Sequence, residues 1–273
     1  MMLTLIWSVL AAGAVYGALW HSGFAAKHDV WSIVIAATVI LAGQIISMLI
    51  LRKISMKNNM ILQGIMEETQ KRIQMKQQQF MRRPLSQKQM IAELEKEQAA
   101  GIDRMLDALK IFEPLYKWNF MIRKQINTMK MMFAYQKKDF KTVDALMDHC
   151  ILFDAQSCAM KLARMYVNKA DDKALDKFYK RKCLRFKGVE SALTASTYAW
   201  ILVKRERTDV AIQALAEAKA RSMDNPVVVK NWEMLVNGKI AHFSNAGLGE
   251  TWYALQLEAP KMQKIQQQQV RYR

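Results

Sequence analysis

Several residue types that define common protein classes are scarce in this chain of 273 residues. It has 10 glycines and 4 prolines, together about 5%, whereas average chains contain roughly 12%. A β-sandwich or barrel needs many turns, so this scarcity argues against both and favours long helices with short connections. Three cysteines are too few for a disulfide scaffold.

Charge is almost absent from the first 51 residues, where Lys27 and Asp29 are the only charged side chains. The rest of the chain therefore holds 40 of the 41 basic residues, 23 of the 24 acidic residues and the whole net charge of +17. This balance excludes a protein with an acidic tail. It divides the chain into an apolar N-terminal segment and a strongly basic remainder.

Two apolar runs fill the uncharged segment, and they predict helices over about 2–20 and 31–51. Each run reaches the roughly 20 residues that a bilayer requires. Tryptophans stand near the ends of the runs, as interfacial anchors do. A cleaved signal peptide is the alternative for the first run, but no Lys or Arg precedes it. We therefore expect residues 1–51 to form a transmembrane hairpin.

Basic residues flank the two apolar runs unequally. Arg52, Lys53 and Lys57 follow the second run, whereas the loop between the runs contains Lys27 alone. Positive residues are retained on the cytoplasmic side of a membrane. The sequence therefore predicts an integral membrane protein whose residues 52–273 lie in the cytoplasm, and its compact layout suggests a bacterial inner membrane.

Small residues recur at helical spacing in both apolar runs. Gly13 and Gly17 form a GxxxG pattern, and Gly43 and Ser47 form a related pair. Such patterns let two helix backbones approach closely. They predict helix packing, either within the hairpin or between two copies of the chain in a homodimer.

Residues 52–113 are predicted to form a basic, Gln-rich juxtamembrane stalk followed by an amphipathic helix. The stalk is either a solvated helix or linker, or a basic helix resting on the anionic inner leaflet. Ser86 and Gln89 have the spacing of a capping box, with Leu85 and Met90 as a hydrophobic staple around it. The sequence therefore predicts that a new helix begins at this point.

Residues 114–260 contain three similar stretches, each with two amphipathic helices joined by a short polar turn. The second helices align on a small or β-branched residue, followed four residues later by a large apolar one. These pairs are Val143 and Met147, Ala174 and Phe178, and Ala211 and Leu215. The spacings of 31 and 37 between them bracket the 34-residue tetratricopeptide period.

Residues 115–240 resemble the tetratricopeptide-repeat family, most clearly where Ala211, Leu215 and Ala218 precede Asn225-Pro226. The first unit departs from the family pattern at Val143, and the first two units lack a closing proline. We therefore expect an all-α, divergent array of α-hairpins, with an irregular helical bundle as the alternative.

This resemblance implies a concave face, lined by the first helix of each hairpin, that binds a protein segment. Lys130, Arg164 and Lys204 fall in those first helices and would favour an acidic partner. Two membrane spans before such an array also resemble the layout of HemY-type bacterial membrane proteins. That likeness concerns architecture alone, and it favours a scaffold that assists the assembly of a membrane complex.

A second candidate surface is the basic run between residues 161 and 187, which holds ten Lys or Arg and three Asp. Its densest part interleaves cations with aromatic residues and comprises Lys177, Lys180, Arg181, Lys182 and Arg185. A solvated helix face is one interpretation. Binding of anionic lipid or of nucleic acid, which would be salt-sensitive, is the other.

The sequence contains none of four common motifs of catalytic or nucleotide-binding sites. The chain has no P-loop, GxGxxG, GxSxG or HExxH pattern, and no two cysteines have the spacing of a structural zinc site. We therefore expect a protein that is not an enzyme and that needs no metal or cofactor. Its last residues, 261–273, are basic and Gln-rich and are predicted to be disordered.

Overall fold

A computed structural model of the chain describes residues 2–24, 28–82 and 86–259. Helices make up 82% of it, and the described residues contain no strand, which confirms the all-α class. The chain divides into two compact units, Met1–Ile151 (unit 1) and Leu152–Arg273 (unit 2). Lys27, Leu85 and the predicted tail 261–273 lie outside the described residues.

The described part of unit 1 contains five α-helices and one 3₁₀ helix. They are α1 (Met2–His21), α2 (Asp29–Arg82), α3 (Gln87–Ala108), the 3₁₀ helix Leu109–Lys117, α4 (Phe120–Gln136) and α5 (Phe140–Met147). The helix that contains the predicted span 31–51 continues through the predicted stalk, because α2 is 54 residues long, or about 80 Å. Residues 52–82 contain no proline and only one glycine, so nothing in them interrupts the helix.

The N-terminal part of α2 packs against α1 through small side chains. Ser8, Ala12 and Ser32 are buried, and Gln44 Nε2 donates a hydrogen bond to Ser8 Oγ at 2.6 Å. The large aliphatic side chains of both helices are mostly exposed. Both helices are long and apolar enough to cross a membrane, and this pair has the outward-facing apolar surface that lipid requires.

The first turn of α3 is the capping box that the sequence predicts. Ser86 Oγ accepts a hydrogen bond from the Gln89 N–H at 3.3 Å, and Gln89 Oε1 accepts one from the Ser86 N–H at 3.2 Å. These two bonds satisfy backbone donors that the helix itself leaves without partners. The capping-box prediction is therefore confirmed.

The polar part of α2 packs against α3 rather than standing alone in solvent. A Cβ on Gly101 of α3 would lie 2.3 Å from Thr69 Cγ2 of α2, so only glycine allows this approach. Lys76 Nζ of α2 pairs with Glu93 at 3.2 Å and with Glu97 at 3.1 Å. The predicted juxtamembrane stalk is therefore one of two helices that pack against each other.

A shared apolar core joins α2 and α3 to the segment that follows. Its buried members are Leu62, Met105, Leu109, Phe112, Leu115, Ile122 and Ile126. Because this core includes the first residues of α4, residues 114–151 belong to unit 1. The division at 151/152 therefore differs from the predicted boundary at 113/114.

Unit 2 surrounds one buried helix. Its elements are α6 (Ala155–Val167), α7 (Asp172–Phe178), the π-helix Tyr179–Cys183, α8 (Gly188–Lys204), α9 (Thr208–Arg221), α10 (Pro226–Val236), 3₁₀ helices at Ile240–His242 and Ala246–Leu248, and α11 (Glu250–Tyr253). Every residue of α8 from Ser191 to Leu202 is buried. Trp252 of α11 closes this core, because its indole meets that of Trp200 edge to face at 5.8 Å.

Three helical hairpins, α4–α5, α6–α7 and α8–α9, occupy the three predicted stretches and share one kind of turn. The second residue after each first helix has a positive φ: Lys138 (60°), Lys169 (54°) and Glu206 (61°). Each donates to the carbonyl three residues back, and the next residue donates to the carbonyl five residues back, which is a Schellman motif. The hairpins therefore repeat in detail, while the likeness to tetratricopeptide repeats stays a prediction.

Candidate functional site

Five exposed cations of unit 2, Lys177, Lys180, Arg181, Lys182 and Arg185, form the surface that we call the basic face. Most of it lies on the π-helix, whose hydrogen bonds run from residue i to i+5 and give a wider turn than an α-helix. Tyr179 and Cys183 at the two ends of this π-helix are buried. The three consecutive cations between them therefore all face solvent.

Four members of the basic face make no ion pair with any residue that the structure describes: Lys177, Lys180, Arg181 and Lys182. The nearest carboxylates are already engaged. Asp172 pairs with Arg205 at 2.5 Å, and Asp176 pairs with Arg207 at 2.8 Å. Lys180 acts on the already paired Asp176 and helps to lower the pKa of that carboxyl. None of the four forms an ion pair within the described part of unit 2, so most of their charge is available to a partner.

Arg185 connects the basic face to an exposed apolar surface. Its guanidinium donates to the carbonyl oxygens of Leu152 at 2.6 Å and Phe153 at 3.0 Å. Phe153 is 61% exposed and Val189 is 72% exposed. The surface around Arg185 therefore offers both positive charge and large apolar groups.

A network of charged and aromatic side chains connects the helices that carry the basic face to α8. Asp176 accepts hydrogen bonds from Arg207 at 2.8 and 3.1 Å and from the Tyr198 hydroxyl at 2.6 Å. These bonds, that of Arg207 first, hold the pKa of Asp176 below its usual value. Tyr198 stacks on Tyr179 with ring centroids 4.0 Å apart, which anchors the π-helix on α8.

Two cysteines meet beneath the basic face. Cys158 of α6 and Cys183 of the π-helix are both buried. Their interaction lowers the pKa of Cys158 and, together with burial, raises the pKa of Cys183. The sequence did not predict this contact, because 25 residues separate the two thiols. In the described part of the chain, no three His, Cys, Asp or Glu side chains cluster as a metal site would require.

The three cations predicted to line a concave face have different surroundings. Lys130 belongs to unit 1 and lies 3.8 Å from Glu113. Arg164 of unit 2 is only 8% exposed and donates to Asn168 Oδ1 at 3.1 Å. Arg164 is therefore largely buried within unit 2, and its predicted role in partner binding stays a prediction. Lys204 is exposed, with Nζ 5.3 Å from the Trp200 ring centroid.

The four small residues predicted to pack the membrane helices fall into two groups, one at the contact between α1 and α2 and one away from it. A Cβ on Gly43 would lie 3.0 Å from Ser8 Cβ, so Gly43 lies at the α1–α2 contact. Ser47 follows it one turn later on α2. A Cβ on Gly13 or Gly17 would meet nothing within 4 Å, so their GxxxG surface faces away from α2. The predicted homodimer through that surface stays a prediction.

Comparisons with known proteins add no name to these surfaces. No family model, no curated protein and no solved structure matches the chain. Its function must therefore be argued from the residues and contacts described above.

Proposed function

We propose that the chain is a membrane-anchored helical scaffold whose unit 2 binds an acidic segment of another protein. The observation that carries this proposal is the basic face, of which four cations form no ion pair within the described residues and the fifth, Arg185, binds the backbone carbonyl of the exposed residue Phe153. Protein interfaces combine arginine with aromatic side chains in this way. The backbone of duplex nucleic acid needs positive charge alone, so the apolar part favours a protein partner over a duplex.

Membrane anchoring by α1 and α2 is the second part of the proposal. The large side chains of these helices point outward, as those of Leu41 (64% exposed) and Met48 (69% exposed) do. Arg52, Lys53 and Lys57 follow directly and keep the rest of the chain on the cytoplasmic side. The scaffold therefore presents its binding surface to cytoplasmic proteins near the membrane.

The test begins with a defined probe rather than with a cell extract. The full-length protein, inserted in nanodiscs of uncharged phosphatidylcholine, is used to select peptides from a random phage-displayed library. We expect the enriched peptides to combine Asp or Glu with aromatic or aliphatic residues. The affinity of a synthetic copy is then measured by fluorescence anisotropy.

The decisive variant reverses two charges of the basic face, K180E/K182E. Attraction becomes repulsion, so we expect affinity for the selected peptide to fall about tenfold or more. The matched control K230E/K239E reverses two exposed lysines elsewhere in unit 2 and should change affinity less than about twofold. Lys204→Glu tests the surface that the family resemblance implies, and we expect it to leave binding unchanged.

Three outcomes contradict the proposal. Equal losses with both double variants mean that net charge, rather than the basic face, attracts the peptide. A library that yields no acidic peptides contradicts the proposal of an acidic protein partner. A single-stranded oligonucleotide or an anionic vesicle that binds the basic face and displaces the peptide supports the alternative interpretation of these cations.

A further inference from the structure

A cleft of about 400 Å³ opens in unit 1 where α2, the start of α1 and the start of α4 meet. On α2 it extends over the twelve residues from Gln44 to Ser55, or about 16 Å along the helix axis. Thr4 of α1 contributes to one wall, and Trp118 and Asn119 before α4 contribute to another. The cleft therefore runs along the helix pair rather than across it.

The cleft spans the change from the uncharged to the charged part of α2. Met48 and Leu51 line the half toward the apolar segment together with the polar side chains of Thr4, Gln44 and Ser47, whereas Arg52 and Ser55 line the more polar half, which holds the charge. Trp118, Asn119 and Ile122 complete the lining. Arg52 is also the first charged residue after the apolar run of α2. In a membrane-spanning hairpin this change marks the depth at which acyl chains meet lipid headgroups.

The polar half of the cleft carries positive charge that no neighbouring anion balances. Residues 30–66 and 114–138, which supply all of its walls except Thr4, contain no Asp or Glu. Arg52 forms no ion pair within the described ranges. Asn119 Oδ1 accepts a hydrogen bond from the Met121 N–H at 2.9 Å, so its amide nitrogen is the group that can donate to a ligand. A guanidinium, a hydroxyl and an amide donor suit a phosphate.

An aromatic side chain marks the same level. The indole of Trp118 is 40% exposed and lines the cleft beside Asn119. Tryptophans prefer the membrane–water interface, because the ring is apolar and its N–H is polar. Trp118 therefore places this part of unit 1 at the headgroup layer of the same leaflet as Arg52.

We propose that the cleft binds one anionic glycerophospholipid of the cytoplasmic leaflet. Arg52, Ser55 and Asn119 hold its phosphate, and an acyl chain lies along Met48 and Leu51. The net negative charge is selected because the choline of a zwitterionic lipid would bring a cation toward the basic end of the cleft. This inference rests on the proposed membrane anchoring of α1 and α2.

Native mass spectrometry of the full-length protein tests the site. The protein is reconstituted in equal amounts of phosphatidylglycerol and phosphatidylcholine with the same acyl chains and then released into a mild detergent. We expect one phosphatidylglycerol to remain bound. Arg52→Gln should lower its retention about fivefold, since one cation near a membrane surface is worth about that factor.

Two further variants separate the cleft from general surface charge. Lys53→Gln removes the same charge at the same depth but from a residue outside the cleft, and it should leave retention unchanged. Ser55→Leu keeps every charge and fills the polar half, so it should lower retention as Arg52→Gln does. Soluble glycerol phosphate should not displace the lipid, because the acyl chain contributes to binding.

The contradicting outcomes are distinct. Equal losses with Arg52→Gln and Lys53→Gln, or equal retention of the two lipids, overturn the site. Displacement by glycerol phosphate shows a site for soluble phosphate compounds instead. If alkaline carbonate extracts the wild-type chain from vesicles, both the proposed membrane anchoring and this inference are contradicted. If the chain stays inserted but shows no lipid preference, only this inference is contradicted.

Discussion

The α1–α2 pair and the α8 core are both rich in apolar residues, yet they bury opposite kinds of side chain. Ser8, Ala12 and Ser32 are buried between α1 and α2, while Leu41 and Met48 are exposed. Around α8 the large side chains are buried, including Ile201, Leu202 and Trp252. Water drives large apolar groups inward, whereas in lipid close backbone packing decides the contact. Apolar composition alone therefore does not tell which surface of a helix is buried.

Matched truncation of two leucines tests this contrast most strongly. Leu215→Ala removes a fully buried side chain of α9 and should cost about 2–5 kcal/mol of unfolding free energy. Leu49→Ala removes the same atoms from the exposed surface of α2 and should cost less than about 0.5 kcal/mol in detergent. Urea unfolding of the full-length protein, followed by tryptophan fluorescence, measures both. Similar losses would mean that the outer surface of α2 is packed against protein.

The ion pair below the basic face is the next largest effect. Asp176→Asn weakens the bonds to Arg207 and Tyr198 and should cost about 1–3 kcal/mol. Because the folded-state pKa of Asp176 is lowered, its contribution is complete above the unfolded pKa of about 4. It is lost as the pH falls through the folded value. Wild-type stability should therefore drop toward the variant's in acid, and a constant difference from pH 7 to 3 would contradict this.

Steric substitutions at two glycines sharpen the comparison within the membrane helices. Gly43→Leu places a side chain where Ser8 already lies 3.0 Å from a Cβ position and should cost about 1–3 kcal/mol. Gly13→Leu has open space and should leave thermal unfolding in detergent, followed by circular dichroism, unchanged. A larger effect at Gly13 would show that its exposed surface contacts a second copy.

The smallest effect concerns the hairpin turns. Glu206 has a φ of 61°, a conformation that glycine adopts without strain, so Glu206→Gly should stabilise unit 2 by about 0.5–1 kcal/mol. The control Glu217→Gly alters an exposed residue inside α9 and should destabilise it by about 1 kcal/mol. Chemical unfolding distinguishes the two signs. Destabilisation by both variants would mean that the side chain of Glu206 contributes more than its backbone strain costs.

Local signals in the sequence were reliable guides to local structure. The capping box at Ser86 and Gln89 needs only neighbours three positions apart, so it could be predicted directly from the sequence. The hairpin turns could not be located as closely, because Lys138, Lys169 and Glu206 occupy positions where glycine is the usual signal. The scarcity of glycine that indicated a helical protein also removed the markers of its turns.

The candidate site was predicted in part. The run that holds Lys180, Arg181 and Lys182 was evident from composition, but the π-helix that exposes all three was not. The buried position of Arg164 and the contact of Cys158 with Cys183 depend on how α6 packs, and no local pattern reports that packing. The cleft at Arg52 was not predicted, because its walls come from segments more than 60 residues apart.

By itself the sequence determined the all-α class, the two apolar helices, the basic remainder and the helix start at Ser86, because these depend on composition, length and near neighbours. Tertiary structure alone decided that α2 pairs with α3, that residues 114–151 join unit 1, and which cations remain unpaired. Those outcomes depend on contacts between distant residues, where a single close approach such as Gly101 against Thr69 selects one packing.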